Sequence, residues 1–247
     1  MKIQSKILAF TVFVSASALA TEPLRVALYD DAGSTGKGVP RMKEHVGKVP
    51  SMRLTVVKGE DIRAGVLKDF EVVVFTGGSG SGQANGIGEE GRRRVKEFVE
   101  RGGGYVGICA GAYLACEGFS WGAKVLDAKT VSPKWRRGVG DVKMELTDEG
   151  RRILGDKQGP FTVRYANGPI IKPSTNAAIP DFKPLAYFRT ELASNGTPKG
   201  VMANSPAAVS GTLGEGRVIT FSPHPEQTDG LEGLVIRAIE WVGKRQE

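Results

Sequence analysis

A strand, a helix and a second strand follow one another between Phe70 and Cys109, and this order constrains the fold more than any other feature of the chain. The run "FEVVVF" is continuous and rich in β-branched residues, and glycines follow it. The stretch "EEGRRRVKEFVERGGG" spaces Val95, Phe98 and Val99 as an amphipathic helix does. "YVGIC" is then a second apolar run. Continuous apolar strands that alternate with helices predict parallel pairing, right-handed crossovers and a sheet covered on both faces.

The same alternation begins earlier in the chain. The runs "LRVALYD" at 24–30 and "MRLTVV" from Met52 are predicted strands, with a helix near Val39–Val46. The middle of the chain, roughly 120–215, instead holds short strand-like runs separated by Gly, Pro and Asn, which indicate antiparallel hairpins. "GLEGLVIRAIEWVGKR" is a predicted amphipathic closing helix. We therefore predict one α/β domain over residues 21–247, with a mostly parallel central sheet and added antiparallel hairpins.

Residues 1–20 have the pattern of an export signal. Lys2 and Lys6 precede an apolar stretch, and the segment ends in Ala18-Leu19-Ala20, an A-x-A cleavage site. An uncleaved membrane anchor is the alternative, but the apolar stretch is short for a spanning helix. We expect cleavage after Ala20, a periplasmic or secreted protein, and no stable membrane span afterwards.

Charge and composition exclude several classes of protein. The chain is 40% hydrophobic and 25% charged, which excludes disordered and fibrous proteins. Its formal charge of +7 falls by two when residues 1–20 are removed. The densest basic segments, Arg92 to Arg94 and Lys134 to Arg137, lie in no array of basic and aromatic residues, so we interpret them as solvated surface. No nucleic-acid partner is predicted.

Neither a cofactor nor a metal is predicted from the motifs. A phosphate-binding loop of the form G-x-x-x-x-G-K-[ST] fails, because Asp31 occupies the first glycine position and Gly38 follows Lys37. The chain has two histidines and two cysteines, without a CxxC pair, which argues against a zinc site. In a helix Cys109 and Cys116 would lie about 10 Å apart, too far for a disulfide.

Cys109 is the candidate nucleophile. It lies in "GICAG", between a predicted strand and a predicted helix, which is the pattern of a nucleophile elbow. A helix N-terminus favours a thiolate and offers backbone N–H groups to an oxyanion. Ala110 is the expected first donor, and Gly77 or Gly78 the second, because the preceding strand ends there on the same edge of the sheet. A small core thiol is the alternative interpretation.

A thiol nucleophile needs a base, and the chain offers His45 or His224. His45 lies on an early helix among basic residues, which favours a surface position. His224 lies in "SPHPE", where the two prolines favour an extended backbone. Residues two apart in an extended chain face the same way, which would bring Glu226 to the imidazole. Cys109, His224 and Glu226 are thus predicted as nucleophile, base and orienting acid.

At these residues the chain resembles the class I glutamine amidotransferase superfamily, through "TGGSGSG", "GICAG" and a late "HPE". More closely it resembles the biotin-protein ligase N-terminal-like family, in which "GGGYVGICAGAYLA" and "RYANGP" are typical. The resemblance implies a flavodoxin-like three-layer sandwich. It does not imply biotinylation, because the chain carries no ligase catalytic domain.

One position departs from the pattern of the glutamine-using members. They usually have a glutamine soon after the elbow cysteine, and here that position is Tyr113. We therefore predict a cysteine hydrolase that acts on an amide or γ-glutamyl-type bond in a small-molecule or peptide-like substrate, with Tyr113, Asn167 and Tyr165 as candidate substrate contacts. A non-catalytic binding module with the same fold is the alternative.

Overall fold

A nine-stranded sheet forms the centre of the structure, a computed structural model that describes residues 22–244. The predicted export signal lies outside the described residues. The strands are β1 (Leu24–Tyr29), β2 (Met52–Val57), β3 (Val72–Phe75), β4 (Gly104–Ile108), β5 (Ala128–Thr130), β6 (Val139–Leu146), β7 (Phe161–Ala166), β8 (Ile171–Pro173), β9 (Lys183–Phe188), β10 (Pro206–Leu213) and β11 (Gly216–Phe221). Their order in the sheet is β2-β1-β3-β4-β11-β10-β9-β6-β7, and β5 pairs with β8 apart from it.

The first five strands in that order are all parallel, whereas the rest are antiparallel. β1 pairs with β2 and β3, and β4 lies between β3 and β11. This succession is the flavodoxin-like order, in which ligands bind beyond the carboxyl ends of the strands. β10, β9, β6 and β7 extend the same sheet. The predicted α/β class is therefore confirmed, and the antiparallel strands continue the central sheet.

Helices cover both faces of the sheet. They are α1 (Gly38–Gly47), α2 (Gly59–Arg63), α3 (Gly80–Glu100), α4 (Ala110–Ala115), α5 (Asp148–Leu154) and α6 (Glu232–Gly243). Apolar residues of α1, α5 and α6 pack into one core, and those of α2, α3 and α4 into the other. The three-layer sandwich follows from the strands, because β-branched runs such as β3 are buried on both faces and need a helix layer on each.

Two helical segments differ from the sequence prediction. α3 begins at Gly80, so part of the predicted glycine loop is helical, and the Ser79 side chain caps the helix by accepting from Gly82 N–H. α5 was not predicted. Its signals are local and short: Thr147 accepts from Gly150 N–H at the N-terminus, and two acids occupy the first turn.

The carboxyl ends of β3, β4 and β11 meet at one edge of the sheet. The N–H of Cys109 donates to Phe221 O at 2.8 Å, and the N–H of Gly111 donates to Thr76 O at 3.3 Å. These bonds hold the end of β4 between the ends of its two neighbours. The segments that follow the three strands therefore share one space. Within residues 22–244, no helix combines the length and the apolar character needed to cross a bilayer.

Close contact between α5 and β9 generates a stability prediction. A methyl group at Gly150 would place its carbon 1.8 Å from the Leu185 carbonyl oxygen. We expect Gly150→Ala to lower the free energy of unfolding by about 2–3 kcal/mol in urea titrations, since backbone must move to relieve the overlap. Gly47→Ala is the control, because no heavy atom lies within 4 Å of its added carbon. Equal stabilities of the two variants would contradict the close packing.

Candidate functional site

Cys109 has a strained backbone at the turn from β4 into α4. Its φ of 52° and ψ of −96° lie outside the regions that side-chain-bearing residues usually adopt. Glycines on both sides allow the turn. A methyl carbon at Gly107 would lie 2.6 Å from Gly111 O, and one at Gly111 would lie 2.2 Å from Phe75 O. The "GICAG" segment thus has the geometry of an elbow, in which both glycines are required by close backbone packing.

The Cys109 thiol lies between the imidazole of His224 and the end of β7. Its sulfur lies 3.3 Å from Ala166 O, to which the thiol can donate, and Cys109 is close enough to His224 to raise the pKa of that histidine. The residue is 5% exposed. By contrast, the Cys116 thiol donates to Ala112 O within its own helix, and burial raises the pKa of Cys116 to about 12. The two free cysteines therefore occupy different chemical environments.

His224 is held by contacts on several sides. Its backbone N–H donates to Arg164 O at 2.7 Å, and the Nδ1 atom of its imidazole lies 2.8 Å from Glu226 Oε1. Because a carboxylate only accepts, the Nδ1 atom carries the proton in this contact. The ring packs on Gly77, where a methyl carbon would lie 2.7 Å from the imidazole Cε1. Glycine at position 77 is thus required for the ring to sit against the end of β3.

The backbone around Glu226 differs from the expected extended form. Pro225–Gln227 is a turn of 3₁₀ helix, so the two-residue periodicity of a strand does not apply there. The carboxylate reaches the imidazole because the turn folds back on His224. Gln227 Nε2 completes the group by donating to Glu226 Oε1 at 2.9 Å. Glu226 contacts the His224 imidazole as predicted, but the extended backbone from which this contact was inferred is wrong.

Opposing effects act on the charge of His224. Burial lowers the pKa of this histidine, but Cys109 and Glu226 favour the protonated ring and raise it to about 10. Both His224 and Glu226 are buried. The effects of these two partners on the pKa of His224 therefore exceed the opposing effect of burial.

The predicted oxyanion donors surround the same corner of the sheet. Among residues 22–244, no acceptor hydrogen-bonds the N–H groups of Ala110, Gly77 or Gly78. Gly77 O accepts from Thr35 N–H at 3.2 Å, which fixes the peptide. Gly78 has a φ of 139°, and a methyl carbon there would lie 2.0 Å from Gly33 O. The donors thus lie on backbone that neighbouring segments hold in place.

The segment from Tyr165 to Gly168 forms a wall beside the thiol. Tyr113 donates to Asn167 O at 3.0 Å, and Tyr165 donates to Gly168 O at 2.7 Å. Asn167 has a φ of 57°, and its side-chain oxygen accepts from Gly138 N–H at 2.8 Å. The three residues predicted as substrate contacts are therefore brought together near Cys109, with these polar groups already bound to neighbouring backbone.

His45 lies closer to the site than the sequence indicated. It is half-buried, and its Nε2 lies 2.9 Å from Glu226 O, so the predicted surface position is wrong. It follows the buried Met42 by three residues on α1, a spacing that could have indicated the inward-facing side. Buried oxygens that have no partner among residues 22–244 also collect here: Thr76 Oγ1, Ser222 Oγ and Glu226 Oε2.

The sequence predicts Arg137 on the solvated surface, and this prediction is wrong. It is 2% exposed, and its Nη2 donates to Glu191 Oε1 at 3.1 Å and to Pro198 O at 2.9 Å. The preceding Arg136 instead lies over the exposed ring of Trp135. Within residues 22–244, no group of three His, Cys, Asp or Glu side chains is arranged to hold a metal ion.

Comparison with known proteins gives a family match over part of the chain. Residues 24–133 match the family model described as "Biotin-protein ligase, N terminal". A search of curated proteins found no match. This matched part contains the "GICAG" turn and the glycines after β3, whereas His224 and Glu226 lie beyond it.

Solved structures share the fold over nearly the whole chain. A ThuA-like protein from Bacteroides uniformis has a TM-score of 0.61 and 16% identity, covering 92% of this chain and 94% of that one. A cytoplasmic protein from Salmonella typhimurium has a TM-score of 0.59 and 13% identity, covering 90% and 100%. A β-galactosidase from Bacillus circulans matches at 0.54 and 16% identity, covering 90% of this chain but 31% of the enzyme.

The resemblance to the biotin-protein ligase N-terminal family is thereby confirmed over residues 24–133, whose sequence matches that family model. Over 92% of its length the chain shares the fold of a ThuA-like protein.

Proposed function

We propose that this protein is an exported cysteine-dependent hydrolase that cleaves an amide or γ-glutamyl-type bond. The observation that supports this most is the hydrogen bond between His224 Nδ1 and Glu226 Oε1, at 2.8 Å, on a histidine whose pKa Cys109 also raises. A nucleophile, a base and an orienting acid in this order are the parts of an acyl-transfer site.

The chemistry follows from the roles of these groups. His224 takes the proton of the Cys109 thiol, and the resulting thiolate attacks the substrate carbonyl carbon. The oxyanion that forms is bound by the Ala110 N–H and by that of Gly77 or Gly78. His224 then gives its proton to the leaving amine, and a thioester remains on Cys109. Water deprotonated by His224 hydrolyses the thioester and releases the acid and the thiol.

Tyr113 argues against free glutamine as the substrate. Its hydroxyl donates to Asn167 O, so it connects α4 to the wall beside the thiol. A glutamine side chain at this position would offer an amide to the substrate, whereas the tyrosine offers a ring and a hydroxyl that is already bound. An acyl group with different polar contacts is therefore the better candidate.

One observation favours a second function, a binding module without turnover. The Cys109 thiol lies within hydrogen-bond distance of Ala166 O and is 5% exposed, so the wall must move before a carbonyl can reach the sulfur. If the wall does not move, the same fold would bind a ligand at the edge of the sheet without attacking it.

Hydrolysis is the direct test between the two functions. We expect wild-type protein to hydrolyse at least one member of a panel of γ-glutamyl anilides, simple acyl anilides and aryl esters. Cys109→Ala and His224→Ala should each lower the rate about a thousandfold, because the nucleophile and base act as a unit. Cys116→Ala is the matched control and should keep the rate. Equal slow rates for wild type and Cys109→Ala would favour the binding module.

Alkylation tests the charge state of the thiol without needing a substrate. At pH 6, iodoacetamide should label Cys109 far faster than Cys116, whose pKa burial raises to about 12. His224→Ala should slow labelling of Cys109 about a hundredfold at this pH, because a thiol of ordinary pKa has under about 1% thiolate there. The rate constants are measured by mass spectrometry of the two tryptic peptides. Labelling no faster than in denatured protein, with no effect of His224→Ala, would refute the imidazolium–thiolate pair.

Export is tested by the N-terminus of the mature protein. Expression of the full chain in a bacterial host should give a protein that begins at Thr21, found by intact mass in the periplasm or medium. Ala18→Arg should block cleavage, since a signal peptidase requires small residues at this position. An intact Met1 in the cytoplasmic fraction of wild type would overturn the proposal.

A further inference from the structure

Arg137 is a buried cation with unused donors. Its Nε and Nη1 atoms are buried and have no hydrogen-bond partner among residues 22–244, whereas Nη2 donates to Glu191 and Pro198. A guanidinium has five N–H groups, and burying such a charge without hydrogen-bond partners destabilises the folded state. The folded state is therefore destabilised unless a further acceptor binds to Nε and Nη1 of Arg137.

Glu191 leaves part of the Arg137 charge available. Its carboxylate already accepts backbone N–H groups from Gly200 at 2.8 Å, Val201 at 3.2 Å and Met202 at 3.3 Å. Its charge is thus shared among several donors, and it contacts Arg137 through Nη2. Glu191 and Pro198 fix the orientation of the guanidinium and leave Nε and Nη1 for another group.

Arg137 is connected to the thiol by a short chain of contacts. The next residue, Gly138, exchanges two hydrogen bonds with Asn167, at 2.8 Å and 3.0 Å. Asn167 follows Ala166, whose carbonyl oxygen lies 3.3 Å from Cys109 Sγ. Burial raises the pKa of both Tyr113 and Tyr165, and the Arg137 charge acts in the opposite direction on each. Arg137 therefore directly precedes backbone that is hydrogen-bonded to the wall beside the thiol.

We propose that Arg137 binds a carboxylate of the substrate, so that the acyl compound attacked by Cys109 is an anion. A carboxylate supplies the oxygen acceptors that a guanidinium binds best. Among the bonds considered above, this selects acyl groups that carry a free carboxylate, such as γ-glutamyl compounds other than free glutamine. The inference rests on the proposed function, because it assigns the substrate of the same site.

Alkylating reagents that differ in one charge test the proposal without turnover. Iodoacetate is compared with iodoacetamide, and iodoacetyl-glycine with iodoacetyl-glycinamide, which places the carboxylate farther from the reacting carbon. In each reaction the Cys109 thiolate forms the S–C bond and iodide leaves. The measured quantity is the ratio of anionic to neutral rate constants at Cys109, with glutathione as the reference thiol.

The wild-type ratio should exceed that of glutathione about tenfold for at least one pair, since a hydrogen bond between charged groups is stronger than one between neutral groups. Arg137→Gln should remove the excess, and Arg137→Lys should keep part of it. Arg136→Gln is the matched control for the general positive charge of the loop and should leave the ratio unchanged.

The possible failures can be told apart. A wild-type ratio equal to that of glutathione for both pairs would overturn the carboxylate site even if Arg137→Gln fails to fold. An equal excess in wild type and Arg137→Gln would overturn it too. Failure of the proposed function would be seen instead with the neutral reagents. Cys109 would then be labelled slowly, and at the same rate in wild type and in His224→Ala.

Discussion

The parallel pairing of β4 with both β3 and β11 is the constraint on which the site depends. It places the ends of three strands side by side, so that the turn after β4 carries Cys109, the turn after β11 carries His224, and the turn after β3 carries the glycines beneath the imidazole. A shift of one residue in the register of any of these strands would turn its side chains to the opposite face and separate the three groups. The bond from Cys109 N–H to Phe221 O fixes this register at the site itself.

The corner of the sheet that results is costly for stability. Cys109 has a backbone conformation that costs of order 1–3 kcal/mol in a residue with a side chain. Nearby, Thr76 Oγ1, Ser222 Oγ and Glu226 Oε2 are buried without partners among the described residues, and each such group costs about 1–3 kcal/mol. An apolar corner of equal size would be more stable. The retention of strain, buried charge and unpaired oxygens together is typical of a site that acts on a ligand.

Some of this arrangement could be predicted from the sequence. The parallel strands could be predicted because they are continuous apolar runs that end in glycines. Cys109 could be predicted as a site residue because glycines flank it at a strand end. His224 could be predicted because the chain has only one other histidine. In each case the signal lies within a few neighbouring residues.

The features that were missed depend on contacts between distant segments. Burial of Arg137 requires contacts with Glu191 and Pro198, which lie more than fifty residues further along the chain. The local sequence does not distinguish Arg137 from the adjacent Arg136, which is exposed. The approach of His45 to Glu226 joins α1 to the turn after β11. The 3₁₀ turn at Pro225 was missed for another reason: proline favours an extended residue before it, but it is also well suited to begin a helical turn.

Tyr113 changes what the site can accept, because it acts on the wall as well as on the substrate position. Its hydroxyl holds Asn167, Asn167 holds Gly138, and Gly138 follows the buried Arg137. A residue of α4 is thereby connected to the residue that follows Arg137 through backbone contacts. If the proposed hydrolase binds an acyl carbonyl where Ala166 O now lies against the thiol, the wall that carries Asn167 has to move, and Asn167 is bonded to the loop of Arg137. Entry of the acyl group and binding of its carboxylate would then be linked steps.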